Sequence, residues 1–188
     1  MAQSRVVKTL GISGSLRKGS FNTAALRAAV EVVPDGMTLE IADIAEIPLY
    51  NDDVRAAGYP PAVQHLRDRV AAADALLFAT PEYNYSISGV LKNVIDWLSR
   101  PPHPPVIGKP VAIMGASPGL LGTGRAQYHL RQCFVFLDMF PVNKPEVMIG
   151  QAGNRFDAQG TLTDQPTRDL IAQLLNSLRE WTLRLNPG

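Results

Sequence analysis

Three short apolar runs constrain this chain more than any other feature. Residues 5–12 (RVVKTLGI), 73–80 (ADALLFAT) and 109–117 (KPVAIMGAS) favour β structure and are followed by turn-forming residues. Apolar runs this short suit strands buried on both faces, as parallel sheets require. Residues 38–43 and 146–150 are weaker candidates of the same kind. Helical periods fall between them. Leu26, Val30 and Val33 share a face after Ser20, and Val90, Leu91, Val94, Ile95 and Leu98 form a second stripe. Ala126, Leu130, Cys133, Phe134 and Leu137 form a third, and Cys133 is read as core. A last helix starts near Asp164, with Pro166 in its first turn, and carries Leu170, Leu174, Leu178 and Trp181. Residues 60–73 are a poorer helical candidate. Five strands alternating with five helices predict a single doubly wound α/β domain over residues 1–188.

Such a sheet places its ligand outside the carboxyl ends of its strands. The loops that matter are therefore 11–23, 43–59, 80–88, 115–124 and 150–163. Composition narrows the ligand mainly by exclusion. A net charge of +1 gives no reason to expect nucleic acid or a membrane surface. One cysteine excludes an internal disulfide framework and a thiolate metal site, and His65, His103 and His129 lack ligand spacing. The apolar segment near the N-terminus is too short for a secretory signal, and no run reaches the roughly 18–20 residues of a membrane span. The expected location is the cytoplasm. RPPHPP (residues 100–105) contains a PxxP spacing but is read as a rigid stop after a helix.

The first loop, GISGSLRKGSFNT (residues 11–23), has the chemistry of an anion cradle yet matches neither common phosphate pattern. No third glycine completes a dinucleotide fingerprint after Gly11 and Gly14. Gly14 and Gly19 have P-loop spacing, but Ser20 and Phe21 stand where lysine and Ser/Thr belong. What remains suits a phosphate monoester: Ser15, Ser20, Asn22 and Thr23 offer short donors, Arg17 a guanidinium fork, and the next helix its N-terminal N–H groups. The same residues would also cap a helix and solvate a turn, although five donors in nine residues exceed what a cap needs.

The loop TPEYNYSISG (residues 80–89) offers rings, a proline and an amide to a flat, partly polar ligand; ordinary packing of Tyr83 and Tyr85 is the alternative. GASPGLLGTGR (residues 115–125) opens with G-x-S-x-G, the nucleophile elbow of α/β-hydrolases. Here Pro118 removes the N–H that the oxyanion hole needs, and no acid lies between Ser117 and His129. A glycine loop approaching one edge of a flat ligand fits better. With no protein acid–base machinery in view, a bound cofactor is expected to carry the chemistry.

GSLRKGSFNT, PEYNYSISGVLKNVIDWLSRP and SPGLLGTGRAQYHLRQ closely resemble the flavodoxin-like NAD(P)H-dependent FMN reductases, particularly the branch called chromate or quinone reductases. The resemblance covers about residues 5–150, and P-E-Y-N-Y-S is its most specific part. It implies a three-layer sandwich around a five-stranded parallel sheet of order 2-1-3-4-5, with noncovalently bound FMN. It places the FMN phosphate on Ser15, Arg17, Ser20, Asn22 and Thr23. Pro81, Glu82, Tyr83, Asn84 and Tyr85 would flank the ring, largely through backbone groups, and Ser117 and Gly119 would approach it from the other side. No protein side chain is expected to act as a catalytic group, and no metal is expected.

By the same resemblance the chain forms dimers or tetramers, with Arg125, Tyr128 and Glu146 at the interface. Two departures stand out: Ser88 where the family usually has proline, expected to loosen the start of the third helix, and Thr123 where a second glycine is usual, expected to cap the fourth. The implied reaction is ping-pong. NADPH or NADH passes hydride to flavin N5, and a quinone, azo compound, free flavin or oxyanion such as chromate then takes the electrons. Residues 46–60 would wall the slot, with Tyr50 and Asn51 nearest the ring. The alternative is a flavodoxin-type electron carrier without NAD(P)H activity, although such carriers tend to be acidic and this chain has 18 basic to 17 acidic residues. A flavin-free regulatory or structural member of the fold is a second alternative.

Overall fold

The computed structural model describes residues 5–186. Its strands are β1 (Val7–Ser13), β2 (Met37–Ile41), β3 (Ala75–Ala79), β4 (Pro110–Ala116), β5 (Phe140–Pro141) and β6 (Val147–Ile149), and its helices α1 (Phe21–Glu31), α2 (Asp52–Ala57), α3 (Pro61–Ala72), α4 (Gly89–Leu98), α5 (Gly124–Phe136) and α6 (Gln165–Leu185). They alternate except that α2 and α3 both follow β2, and β5 and β6 both follow α5. All strand pairs are parallel, in the order β2-β1-β3-β4-β5, with β6 also pairing β4. This is the flavodoxin-like order expected from the resemblance. The fifth position is split between two short strands: Pro110 pairs Phe140 and Val111 pairs Pro141, whereas Met114 pairs Val147. Residues 142–146 thus bulge out while β4 advances only through Ala112 and Ile113.

Every residue of β3 and β4 is buried, which is why both read as unbroken apolar runs. Alternation then sorts their side chains between two cores. Ala75, Leu77, Ala79, Ala112 and Met114 face α1 and α6, where Leu26, Ile171, Leu174 and Leu178 cover them. Leu76, Phe78, Val111 and Ile113 face α3–α5, meeting Leu66, Leu91, Val94, Leu98, Leu130 and Phe134. Helix α4 shows which effect wins locally. Its β-branched Val90, Val94 and Ile95 each cost a few tenths of a kcal/mol in helix propensity, while burying one large apolar side chain gains about 1.5–3 kcal/mol.

Some expected faces shift. Helix α1 buries Ala24, Ala25, Ala28 and Ala29 beside Leu26, whereas Val30 is exposed and Val33 lies past the helix end. Small alanines let α1 lie close to the sheet, so the bulkier stripe misplaced its inner face. Cys133 is half-buried and not full core, because it sits at the margin of the α5 stripe defined by Ala126, Leu130 and Phe134. Among the described residues no helix is long and apolar enough to cross a membrane.

Candidate functional site

A cleft of about 240 Å³ opens where β1, β3 and β4 end, lined by Arg17 and residues 20–22, 81–83 and 116–118. Chain order reverses between β1 and β3, so the cleft lies where a doubly wound sheet leaves room for a ligand. Hollows of about 300 Å³ lie between residues 141–144 and α6, and beside β1, β2 and the end of α3. Neither brings together the loops that follow the strands.

In the first loop most side-chain polar groups serve the fold itself. Ser20 caps α1 by accepting the Thr23 N–H at 3.3 Å, and the Ser13 and Thr23 hydroxyls pair at 2.8 Å. Arg17 Nη2 donates to the Gly19 carbonyl at 3.0 Å, and the Ser15 hydroxyl accepts the Arg17 N–H at 3.4 Å. Asn22 is buried, and the structure corrects its assignment as a side-chain donor to phosphate. Its Nδ2 donates to the Ala116 carbonyl at 3.0 Å and its Oδ1 accepts the Ala116 N–H at 2.9 Å. The amide therefore bolts α1 to the end of β4. What stays free is backbone: among the described residues the N–H groups of Lys18, Gly19, Phe21 and Asn22 meet no acceptor. Unpaired N–H groups at a helix start, with its dipole and a nearby guanidinium, make surroundings that favour an anion.

The third loop is a two-residue hairpin. Tyr83 and Ser86 exchange backbone hydrogen bonds of 3.0 Å each, with Asn84 at φ 52° and Tyr85 at φ 67° between them. Both central residues are left-handed, as in a type I′ turn. Asparagine tolerates that region; a tyrosine there costs about 1–3 kcal/mol unless its surroundings hold it. The Arg125 guanidinium lies 3.7 Å from the Tyr85 ring centroid. Arg125 also pairs with Glu82, whose side chain is 6% exposed, and the Ala126 N–H donates to the same carboxylate at 3.2 Å. Ser86 Oγ pairs with His129 Nδ1 at 2.9 Å. The first turns of α5 thus pin the hairpin while the Tyr83 and Tyr85 rings stay exposed.

The glycine loop after β4 is bound into the fold. A Cβ on Gly115 would overlap the Thr123 hydroxyl and the Thr80 carbonyl, and one on Gly122 (φ 58°) would stand 2.8 Å from the Met148 carbonyl carbon. The Ser117 N–H donates to Ile149 O at 3.0 Å, and its hydroxyl donates to Gly122 O. The N–H groups of Gly119 and Leu120 meet no acceptor among the described residues. Thr123 does not use its side chain as a cap. It is fully buried, and its Oγ1 accepts Gln127 Nε2 at 3.1 Å, because the close approach of Gly115 draws the hydroxyl inward.

Two further expectations change. Tyr50 and Asn51 do not line the cleft. Tyr50 packs edge-on against Trp97 at 4.9 Å, its N–H donating to Asn93 Oδ1 at 2.7 Å, and Asn51 caps α2. Tyr50 Oη and Arg55 Nε both donate to the Asp52 carboxylate, at 2.6 and 2.7 Å; these two bonds, Arg55 foremost, lower the Asp52 pKa to about 2. Nor does Ser88 loosen α4: its hydroxyl accepts the Leu91 N–H at 3.1 Å and donates to Gly14 O at 2.6 Å. Tyr128 Oη donates to Glu146 within the chain at 3.0 Å, which raises the phenol pKa. Burial raises the Cys133 thiol pKa, leaving it a poor nucleophile. No group of metal-ligating side chains occurs among the described residues. The links between Asn22 and Ala116, Glu82 and Arg125, and Ser88 and Gly14 join residues 94, 43 and 74 apart, so no local spacing announced them.

Taken together, the sheet order, the N–H groups left open at the start of α1 and the cleft at the strand ends define a doubly wound α/β protein with a ligand cleft where its chain order reverses. The model of the NADPH-dependent FMN reductases matches residues 7–154, and the chain belongs to that family. It is 64% identical over 179 residues to an NAD(P)H-dependent FMN reductase of Pseudomonas aeruginosa, covering 95% of this chain and 97% of that one. It is 46% identical over 191 residues to an NAD(P)H:quinone oxidoreductase of Solanum tuberosum, covering 98% and 97%. Among solved structures it matches the flavoenzyme NAD(P)H:(acceptor) oxidoreductase FerB of Paracoccus denitrificans with a TM-score of 0.86 at 32% identity, covering 95% and 98%. The protein is accordingly a flavodoxin-like oxidoreductase with FMN as cofactor and NAD(P)H as co-substrate. The donor set fits that group, because unpaired N–H groups answer a phosphate at one end and the hairpin and glycine loop offer more of them at the other.

Proposed function

We propose that the protein takes electrons from NAD(P)H and passes them to quinones by a ping-pong reaction, with free flavin, azo compounds and oxyanions such as chromate as further acceptors. The observation that supports this reading is one open cleft at the ends of β1, β3 and β4; a shared slot of that kind would serve donor and acceptor in turn. Ser15, Arg17, Ser20 and Thr23, with the backbone of Asn22, would hold the FMN phosphate. Pro81, Glu82, Tyr83, Asn84 and Tyr85 would flank its ring on one side, and Ser117 and Gly119 on the other. Bound FMN supplies the two-electron chemistry.

The chain's own part is orientation and electrostatics. The N–H groups of Gly119 and Leu120, which meet no acceptor among the described residues, would favour negative charge developing on a ring edge beside them. Glu82, the carboxylate lining the cleft, is committed to Arg125, so it is not free to shuttle a proton. Reduction of a quinone to a hydroquinone takes two electrons and two protons: the hydride brings one proton and water at the open mouth brings the other. An orienting site with few specific polar contacts suits a broad set of acceptors.

We also propose a cytoplasmic homodimer or homotetramer of single-domain chains. Val135 and Phe136 on α5 are 82% and 87% exposed and Leu120 before it 80%, which suits a subunit interface carrying Tyr128 and Arg125. Anaerobic mixing of the FMN-loaded protein with NADPH tests the electron-donor half: rapid bleaching of the flavin is expected, and an unbleached flavin would establish the electron-carrier alternative. Protein that never acquires FMN absorbance would establish a flavin-free role. Steady-state rates over a grid of NADPH and quinone should give parallel double-reciprocal lines; intersecting lines would overturn ping-pong.

A further inference from the structure

We infer that Ser88 is a positioning residue that fixes the distance between the phosphate cradle and the ring-binding hairpin, a role that rests on the FMN reading above. Ser88 is 2% exposed at the start of α4, and its hydroxyl makes two bonds that face different ways. It accepts the Leu91 N–H at 3.1 Å, as any capping serine does. It also donates to the carbonyl of Gly14, the residue that opens the cradle, at 2.6 Å. A cap needs only the first bond.

Gly14 is held on every side. Its N–H donates to Ala79 O at the end of β3 at 2.8 Å, and its carbonyl takes the Ser88 hydroxyl. A Cβ on it would stand 3.0 Å from Pro81 Cδ and 3.2 Å from both Leu91 Cβ and Ser88 Oγ. Pro81 leads into the hairpin of Tyr83 and Tyr85. One hydroxyl therefore ties the residue that opens the cradle to the helix that follows the hairpin, at the point where the two loops touch. Removing it leaves a buried carbonyl without its donor, and the cradle backbone relaxes relative to Pro81. A ligand that spans both loops would register the change; one that uses only the ring side would not.

The test compares FMN with riboflavin, which has the ring but no phosphate, as ligands of the apo full-length chain, read by quenching of flavin fluorescence. Ser88→Ala is expected to weaken FMN about tenfold while changing riboflavin affinity by less than about twofold. Ser88→Thr, which keeps the hydroxyl, should restore FMN affinity. Ser88→Pro keeps the backbone φ, which is −66° here, but lacks the hydroxyl, and should behave as Ser88→Ala does. Equal loss for FMN and riboflavin, or unchanged FMN affinity, would overturn the inference. If Ser88→Ala fails to fold, the Ser88→Pro and Ser88→Thr pair decides between the same outcomes. A wild-type chain that binds neither ligand defeats the FMN reading instead.

Discussion

The loops after β1 and β4 look alike as text, each a short run of glycine, serine and threonine next to a basic residue, yet they do opposite work. In GISGSLRKGSFNT, Gly11 and Gly14 are close-packed, but the backbone opens at Gly19: a Cβ there would meet nothing within 4 Å, and the N–H groups of Lys18, Gly19, Phe21 and Asn22 meet no acceptor among the described residues. In GASPGLLGTGR the glycines let chains pass one another, Gly115 beneath Thr80 and Thr123, and Gly122 against Met148. Glycine content alone cannot separate a binding loop from a packing loop. What separates them is whether a methyl group would fit, and which N–H groups have already found partners.

Substitutions can break this contrast, and the packing loop should respond most. Gly115→Ala forces a methyl into two neighbours, and by analogy with other severe overpacking it should cost more than about 4 kcal/mol. Loss of soluble protein or a Tm lower by more than about 10 °C is expected; a melt like wild type would mean the loop has slack. Asn22→Ala comes next. It strands the buried N–H and carbonyl of Ala116, costing about 2–4 kcal/mol, and should lower Tm by about 5–12 °C. A Tm unchanged by that substitution would return Asn22 to the list of free ligand donors.

Arg17→Ala should separate binding from folding. Its guanidinium reaches only Gly19 O among the described residues, so a Tm within about 2 °C of wild type is expected. FMN affinity should fall about tenfold, as for one charge-assisted hydrogen bond; unchanged affinity in a fluorescence titration would remove Arg17 from the cradle. Gly119→Ala probes the exposed turn of the packing loop, where a Cβ would lie 3.7 Å from Ser117 Oγ. The melt should not move, while FMN should weaken about threefold through steric approach to the ring; equal affinity would show that the backbone there stays clear of the ligand. Gly19→Ala should be the quietest, leaving Tm within about 2 °C and FMN affinity within about twofold of wild type. A large loss there would mean that the cradle closes more tightly on phosphate than its open backbone suggests.

Much of the architecture was legible because it is written in short periods. β1, β3 and β4 fall within a few residues of their apolar runs, and Leu91, Val94, Ile95 and Leu98 are buried on α4 as their stripe requires. Trp97 joins them, fully buried, because its indole N–H reaches Pro48 O at 2.8 Å. β5 escaped notice because it spans two residues, one of them proline, and exists only by pairing with β4. α2 escaped because none of its six residues is buried, so it carries no apolar stripe. The candidate site was legible to the level of which loops meet, and Arg17, Ser20, Pro81, Tyr83 and Ser117 do line one cleft. It was not legible which of their atoms are free.

The sequence by itself determined the buried strands, the helical stripes between them and the loops that gather at the strand ends. Those properties follow from residues a few positions apart, where backbone propensity and side-chain period act directly. Tertiary structure alone decided that the Asn22 amide holds β4, that the Thr123 hydroxyl turns inward, and that Ser88 reaches back to Gly14. A short polar side chain reads the same whether it binds a ligand or braces the chain. Only the buried partner brought to it across the fold, and the cost of leaving that partner unpaired, assigns it one role.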